Sequence, residues 1–290
     1  MMGIPDLESS AASHIGPIRD ENQDAVRLPD SALLAEKGGL FAIADGMGRY
    51  ANGALASHLA LEALYESFYQ NQEASFQAAL RRGIDSANYK VYKASQQLNV
   101  GLMGTTLTAA YIYGKTLQVA HVGDSRLYLV RDQSAVCLTD DHTTVGELVR
   151  MRVLSPDKVR GHAQRSILTR GIGLDMFIKA DFSQFGLEEN DFLILCSDGL
   201  WSVIEDHEFA DLAGATPSAD QLSKNMVDLA LERNSEDNIS TVVIYVRRLA
   251  EGGVQGPVSK GSQRMWSLGN FLPDQLTRFL GRNHNSHHPE

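Results

Sequence analysis

The stretch TTLTAAYIYGKTLQVAHVGDSRLYLVRDQSAVCLT, residues 105–139, decides the fold. Apolar, aromatic and β-branched residues fall there in four short runs, 105–113, 117–122, 125–130 and 135–139, each the length of a strand. Gly114-Lys115 reads as a tight turn between the first two. Links this short leave no room for a crossover, so the pairing is expected to be antiparallel. Two more buried strands are read at 192–196 and 241–246, and another at 40–44, ending at Asp45-Gly46-Met47-Gly48.

Helices fill the spaces between these runs. Over 53–69, Leu55, Leu59, Leu61, Leu64 and Phe68 recur at helical spacing, as on a helix with one buried face. A second helix is expected over 74–98, interrupted only by Gly83, and two more over 205–212 and 219–232. Residues 1–13 and 140–165 are polar, the latter basic. A meander of strands with helices inserted in pairs implies a sheet-on-sheet core covered by helices, an α+β class. At Glu251 the composition changes. Gly252, Gly253, Gly256, Pro257 and Gly261 read as a flexible linker, and beyond it Leu276, Phe279 and Leu280 share one helical face.

The 290 residues, 43% of them hydrophobic, suffice for one large core plus a tail. A net charge of −10 disfavours nucleic acid as a partner. Cys137 and Cys196 lie inside strand-like runs and read as buried thiols. The N-terminus lacks a secretory pattern, and no apolar stretch approaches the roughly 20 residues of a membrane span. The cytoplasm is the expected location.

In four stretches an apolar strand is expected to end at an aspartate followed by a small or polar residue: Ala44-Asp45-Gly46, Val122-Gly123-Asp124-Ser125, Cys196-Ser197-Asp198-Gly199 and Glu236-Asp237-Asn238. A fifth acid, Asp24, follows Asn22-Gln23. One Asp-Gly alone is a turn signal. Several carboxylates gathered at one end of a sheet repel unless cations neutralise them, and all-oxygen donors select hard ions such as Mg²⁺ and Mn²⁺. The Gly46 carbonyl is a further candidate ligand.

In their order these stretches resemble the metal-dependent type 2C protein phosphatases, in their compact bacterial form, over most of the chain. The resemblance rests on Gly16-Pro17-Ile18-Arg19-Asp20-Glu21-Asn22-Gln23-Asp24, Phe41-Ala42-Ile43-Ala44-Asp45-Gly46-Met47-Gly48, Gly104-Thr105-Thr106 and Val122-Gly123-Asp124-Ser125-Arg126. It continues through Leu138-Thr139 with Asp141-His142, Leu168-Thr169-Arg170, Cys196-Ser197-Asp198-Gly199-Leu200-Trp201 and Asp237-Asn238. It implies two packed antiparallel β-sheets flanked by helix pairs, an αββα sandwich, with a flap at about 143–167 in a catalytic domain of residues 1–250. It implies two, or with Asp124 three, Mn²⁺ or Mg²⁺ ions. Asp45 would bridge two ions, the Gly46 carbonyl would join one, Asp198 and Asp237 would bind the other, and Asp24 would act through a water. Asp124 would help Asp198 hold a third ion, and Arg19 would grip the substrate phosphate. The implied reaction is hydrolysis of phosphoserine and phosphothreonine in proteins, opposing a Ser/Thr kinase, by a water that two ions share.

Two positions depart from the pattern. Gln23 stands where many members have Glu, which weakens the adjoining ion. Met47 stands where some have a histidine proposed as the general acid, and a thioether donates no proton. Arg150, Arg152, Lys158, Arg160 and Arg165 make the flap basic, suited to phosphopeptides. The segment 266–279 is a candidate docking element for a partner.

Rival chemistries lack their residues. A cysteine phosphatase needs Arg six positions after its Cys, where Cys196 has Ser202 and Cys137 has Thr143. A phosphate-binding P-loop needs Lys and Ser or Thr after its last glycine, where Gly53 is followed by Ala54 and Leu55. No Asp-x-Asp nucleophile pair and no looped calcium-binding set is present. A binding module that holds phosphoproteins without turnover is the alternative that Gln23 and Met47 keep open.

Overall fold

The computed structural model describes residues 5–47, 52–70, 75–98, 102–216 and 218–249. The chain divides into units Met1–Gly253 and Val254–Glu290. Gly48, the linker and the 266–279 docking candidate lie outside the described residues.

In chain order the elements are β1 (Asp6–His14), β2 (Asp24–Arg27), α1 (Ser31–Lys37), β3 (Gly39–Asp45), α2 (Gly53–Gln70) and α3 (Phe76–Leu98). Then come β4 (Leu107–Tyr113), β5 (Thr116–Val122), β6 (Arg126–Arg131), β7 (Ser134–Cys137), α4 (Thr144–Arg150) and β8 (Asp181–Gly186). The last are β9 (Phe192–Cys196), α5 (Asp198–Trp201), α6 (Asp206–Ala215), α7 (Ala219–Glu232) and β10 (Ile239–Arg248). They form two five-stranded sheets, ordered β1-β10-β9-β6-β7 and β2-β3-β4-β5-β8. Every pairing in both is antiparallel.

Alternation along the strands builds the layers. In β3, Leu40, Ala42 and Ala44 pack with Leu61, Leu64 and Phe68 of α2 and Leu80 and Ile84 of α3. In β9, Phe192, Ile194 and Cys196 pack with Phe209 of α6 and Leu222 and Met226 of α7. The residues between them, Phe41, Ile43, Leu193 and Leu195, are also fully buried, as are Val242 and Ile244 of β10. A period of two puts these on the opposite face, where they fill the space between the sheets. The result is the expected sandwich, with α2 and α3 on one sheet and α6 and α7 on the other. Gly83 does not break α3. A Cβ there would stand 2.7 Å from Leu64 Cδ1, so the glycine lets α2 and α3 approach closely.

The structure corrects two expectations and adds a strand. β5 and β6, though joined by a short link, do not pair: Val122-Gly123-Asp124-Ser125 carries the chain from one sheet to the other. The polar N-terminus, where no strand is read, forms β1, an edge strand paired along β10. Asp237 precedes β10 rather than ending a strand. The crossing depends on Gly123, whose φ is +114° and whose absent Cβ would fall 2.5 Å from Thr106 Cβ. Gly123→Ala is therefore expected to cost about 2 kcal/mol or more, combining left-handed strain with a clash. A lower urea midpoint at unchanged m would show it.

Candidate metal and phosphate site

The two sheets bring their aspartates to one end. Asp24 opens β2 directly opposite Asp45 at the close of β3. Thr106 fixes the Asp45 backbone from both sides: its Oγ1 accepts from Asp45 N–H at 2.9 Å, and its N–H donates to Asp45 C=O at 2.8 Å. Gly46 N–H donates to Gln23 C=O at 3.1 Å. A Cβ on Gly46 would lie 2.3 Å from Gly53 C=O, so only glycine fits. Asp124 sits on the sheet-to-sheet crossing, and Trp201 Nε1 donates to its carbonyl at 2.9 Å. Asp198 opens α5 right after β9. Asn238 fastens the N-terminal loop beside Asp237, donating to Ile15 C=O and Glu21 C=O and accepting from Gln23 N–H.

Asp45 is the electrostatic centre. Burial, then the charges of Asp24, Asp198, Asp124 and Asp237, raise its carboxyl well above the usual range. Burial and then Asp237 push Asp198 up to about 7, and burial pushes Asp24 up to about 6 against hydrogen bonds from Ser240 and Ser197. Asp124 is raised by burial and by Asp198. Asp24 Oδ1 and Asp198 Oδ1 are buried without a hydrogen-bond partner. Crowded carboxylates with orphaned oxygens and adjacent backbone carbonyls fit hard divalent cations. Among the described residues no group of three acidic, His or Cys side chains is set to hold one ion. Asp237 is engaged by protein donors: its Oδ2 accepts from Arg19 at 2.6 Å and its Oδ1 from Asn238 N–H at 2.8 Å.

A carboxyl whose folded pKa exceeds its unfolded value stabilises the fold below the unfolded value and loses that stabilisation as pH rises through the folded one. His121, pushed down to about 3 chiefly by burial, acts only below its unfolded value of about 6.5. Between pH 6.5 and 8 the carboxylates therefore dominate. Without cations the melting temperature is expected to fall by several degrees across this window, and excess Mn²⁺ is expected to cancel the fall. A flat profile in EDTA would contradict the crowding.

Arg19 overhangs the cluster. Its hydrogen bond to Asp237 raises its pKa against partial burial, and the charges of Asp198 and Asp45 add to this. Its side chain stays 45% exposed. Arg165 approaches from the flap closely enough for its charge to act on Asp198, and its Nε is buried without a partner. Three other flap cations are paired elsewhere. Arg160 is a bolt, donating to Trp201 C=O, Ile204 C=O and Asp206 Oδ1, while Arg150 pairs with Glu147 and Lys158 with Asp157. The flap is pinned at its base by a Thr143–Leu168 bridge.

The profile of the family described as Protein phosphatase 2C matches residues 10–173 and 182–239. The chain belongs to the protein phosphatase 2C family. A putative protein phosphatase 2C-type of Streptococcus pyogenes is 32% identical over 243 residues, covering 82% of this chain and 97% of that protein. The serine/threonine phosphatase stp of Listeria welshimeri is 30% identical over 245 residues, covering 82% and 95%. A crystal structure of the catalytic domain of the serine threonine protein phosphatase PstP, in complex with two manganese ions, matches with a TM-score of 0.72 at 28% identity, over 83% of this chain and 98% of that one.

Within this protein phosphatase 2C chain the remaining candidates are structural. Arg126 makes a bidentate pair with Asp141 and lies 3.7 Å over the Trp201 ring. Ser197 donates to Asp24 Oδ2 at 2.8 Å. Burial pushes the Cys137 thiol up to about 11 and raises that of Cys196 as well, which leaves neither a nucleophile. Met47 packs against Gly104 and Gly171. The Gln23 side-chain amide donates to Glu21 and lies against Gly53, while the Gln23 backbone carbonyl accepts from Gly46 N–H and Ser57 Oγ. Sequence reasoning missed the Thr106 clamp. Thr105 and Thr106 stand in a quoted motif, but their task appears only once β3 and β4 are paired.

Proposed function

We propose that the chain is a Mn²⁺- or Mg²⁺-dependent hydrolase of phosphoserine and phosphothreonine in proteins, opposing a cognate Ser/Thr kinase pathway in the cytoplasm. The observation that carries the reading is the cluster of aspartates around Asp45, with orphaned oxygens on Asp24 and Asp198, under an exposed Arg19. Family membership supports the phosphatase activity, and the names of the relatives support the Ser/Thr preference. Among the described residues no helix is long and apolar enough to cross a membrane.

In this reading Asp45 and the Gly46 carbonyl would hold one ion, and Asp45, Asp198 and Asp237 a second. Asp124 and Asp198 would hold a third, with Asp24 acting through water. When bound, the ions supply a nucleophile at neutral pH and neutralise phosphoryl charge. The planar fork of Arg19 receives two phosphoryl oxygens, and Arg165 meets the phosphate from the flap side. Residues 1–250 form the catalytic domain, the flap at 143–167 admits the phosphopeptide, and the segment 266–279 of the tail docks a partner. The test is phosphate release from a phosphothreonine peptide in Mn²⁺ and in EDTA. Release that requires Mn²⁺ supports the reading. No release in Mn²⁺ or in Mg²⁺, measured alongside, from folded protein overturns it in favour of a binding module.

A further inference from the structure

The crossing at Gly123-Asp124-Ser125 is held by side chains from three other places. Thr106 Oγ1 meets Ser125 Oγ at 2.7 Å, Trp201 Nε1 donates to Asp124 C=O at 2.9 Å, and Gly123 N–H donates to His142 Nδ1 at 3.2 Å. His142 has a second connection. Its N–H donates to Gly123 C=O at 2.7 Å, and its own C=O accepts from Thr169 N–H at 2.8 Å. The next residue, Thr143, bridges to Leu168. The histidine therefore stands between the crossing and both stems of the flap, and it is 1% exposed.

Gly123 N–H can only donate, so in the tautomer that accepts from it Nδ1 is bare and the proton sits on Nε2, facing both the acceptor Asp181 Oδ2 and the donor Arg170 Nη1. That proton goes to Asp181 Oδ2 at 3.1 Å. Arg170 Nη1 holds Asp181 Oδ1 at 3.0 Å and lies 3.1 Å from the ring Nε2, and Arg170 Nη2 reaches Glu147 of α4 at 3.5 Å. The chain Glu147–Arg170–Asp181–His142–Gly123 thus runs from the flap helix to the residue before Asp124.

We propose that His142 is a positioning residue that sets the Asp124 carboxylate for its cation and ties that site to the flap. The proposal rests on Asp124 being a cation ligand. Residues that orient ligands from behind typically change metal affinity by about 10–100-fold when replaced.

The two amide variants separate the two bonds. Asn places an acceptor where Nδ1 was and gives up Asp181. Gln places a donor where Nε2 was and gives up Gly123. Mn²⁺ binding is measured by equilibrium dialysis with the metal alone, beside melting temperatures in EDTA and kinetics on a phosphopeptide. His142→Gln is expected to weaken the weakest ion about 10–100-fold, leave the tighter ions unchanged and raise the Mn²⁺ needed for half-maximal kcat. His142→Asn is expected to restore that ion while KM for the phosphopeptide rises, because the flap link is cut. Asp124→Asn separates the layers of the argument. If it loses no ion, the ligand reading fails and takes the proposal with it. If it loses one and His142→Gln does not, the His142 proposal alone is overturned. Equal loss of all ions in Gln and Asn, tracking lost melting temperature, makes His142 merely structural and also overturns it. Should His142→Gln not fold, Asp181→Ala tests the same chain from its half-exposed end, and unchanged Mn²⁺ affinity and unchanged KM there count against it.

Discussion

Asp45→Asn is expected to lower kcat by at least about 10³-fold at saturating Mn²⁺ and, at the same time, to raise the melting temperature of the protein in EDTA. Both effects come from one position. Asp45 feels Asp24, Asp198, Asp124 and Asp237 together, so an uncharged isostere relieves four repulsions at once. The same exchange removes the carboxylate proposed to join two ions. Backbone anchoring survives, because Thr106 and Thr105 hold Asp45 through its main chain. Loss of activity with gained stability distinguishes a functional cluster from a structural one, since a structural carboxylate would cost stability when neutralised. Phosphate release within tenfold of the unsubstituted protein, or a lower melting temperature in EDTA, would refute the assignment.

What the sequence reveals about the fold divides along a physical line. The strands at 40–44, 105–113, 117–122, 192–196 and 241–246 are central strands, buried on both faces, and they read as apolar runs. The unread strands β1, β2 and β8 all lie at sheet edges, and of the edge strands only β7 is read, at 135–139. β1 shows why. Glu8, Ser10 and Ala12 point to α7, where Glu8 accepts from Ser218 and Ala219 N–H and Ser10 lies beside Asp220 and Ser223. A strand that meets its helix through polar contacts carries no hydrophobic alternation. The short link from β5 to β6 looked like a hairpin because length alone does not distinguish a turn from a change of sheet. The left-handed φ of Gly123 makes the difference.

The site divides similarly. Asp45, Asp124 and Asp198 are legible because each adjoins an apolar run and a small residue. The partners of these aspartates are not, because they come from far along the chain. Arg19 reaches Asp237 across 218 positions, and Ser197 reaches Asp24 across 173. The basic flap reads as a uniform field of charge, whereas the fold assigns its arginines opposite tasks. Arg160 is tied into the wall beside Trp201, and Arg165 is left facing Asp198.

Arg126→Ala is expected to be the most destabilising single change outside the hydrophobic core, at about 3–5 kcal/mol. Arg126 and Asp141 are 10% and 7% exposed and joined by two bonds of 3.0 and 2.8 Å. Arg126 also donates to Tyr128 Oη at 3.0 Å and stacks on Trp201. Alanine strands the Asp141 charge in the interior and uncovers the ring. In a domain of this size each kcal/mol moves the melting temperature by about 2–4 °C, so a fall of roughly 6–20 °C should be seen. The double variant Arg126→Met with Asp141→Leu separates structure from chemistry. It fills similar volume without burying charge, and it is expected to recover most of the loss and to retain phosphate release within about tenfold, because Trp201 still holds the Asp124 carbonyl. A double variant that is stable but inactive would place Arg126 among the groups that act on the substrate. One that stays as unstable as Arg126→Ala would mean that the ion pair itself, and not merely its mutual neutralisation, supports this wall of the site.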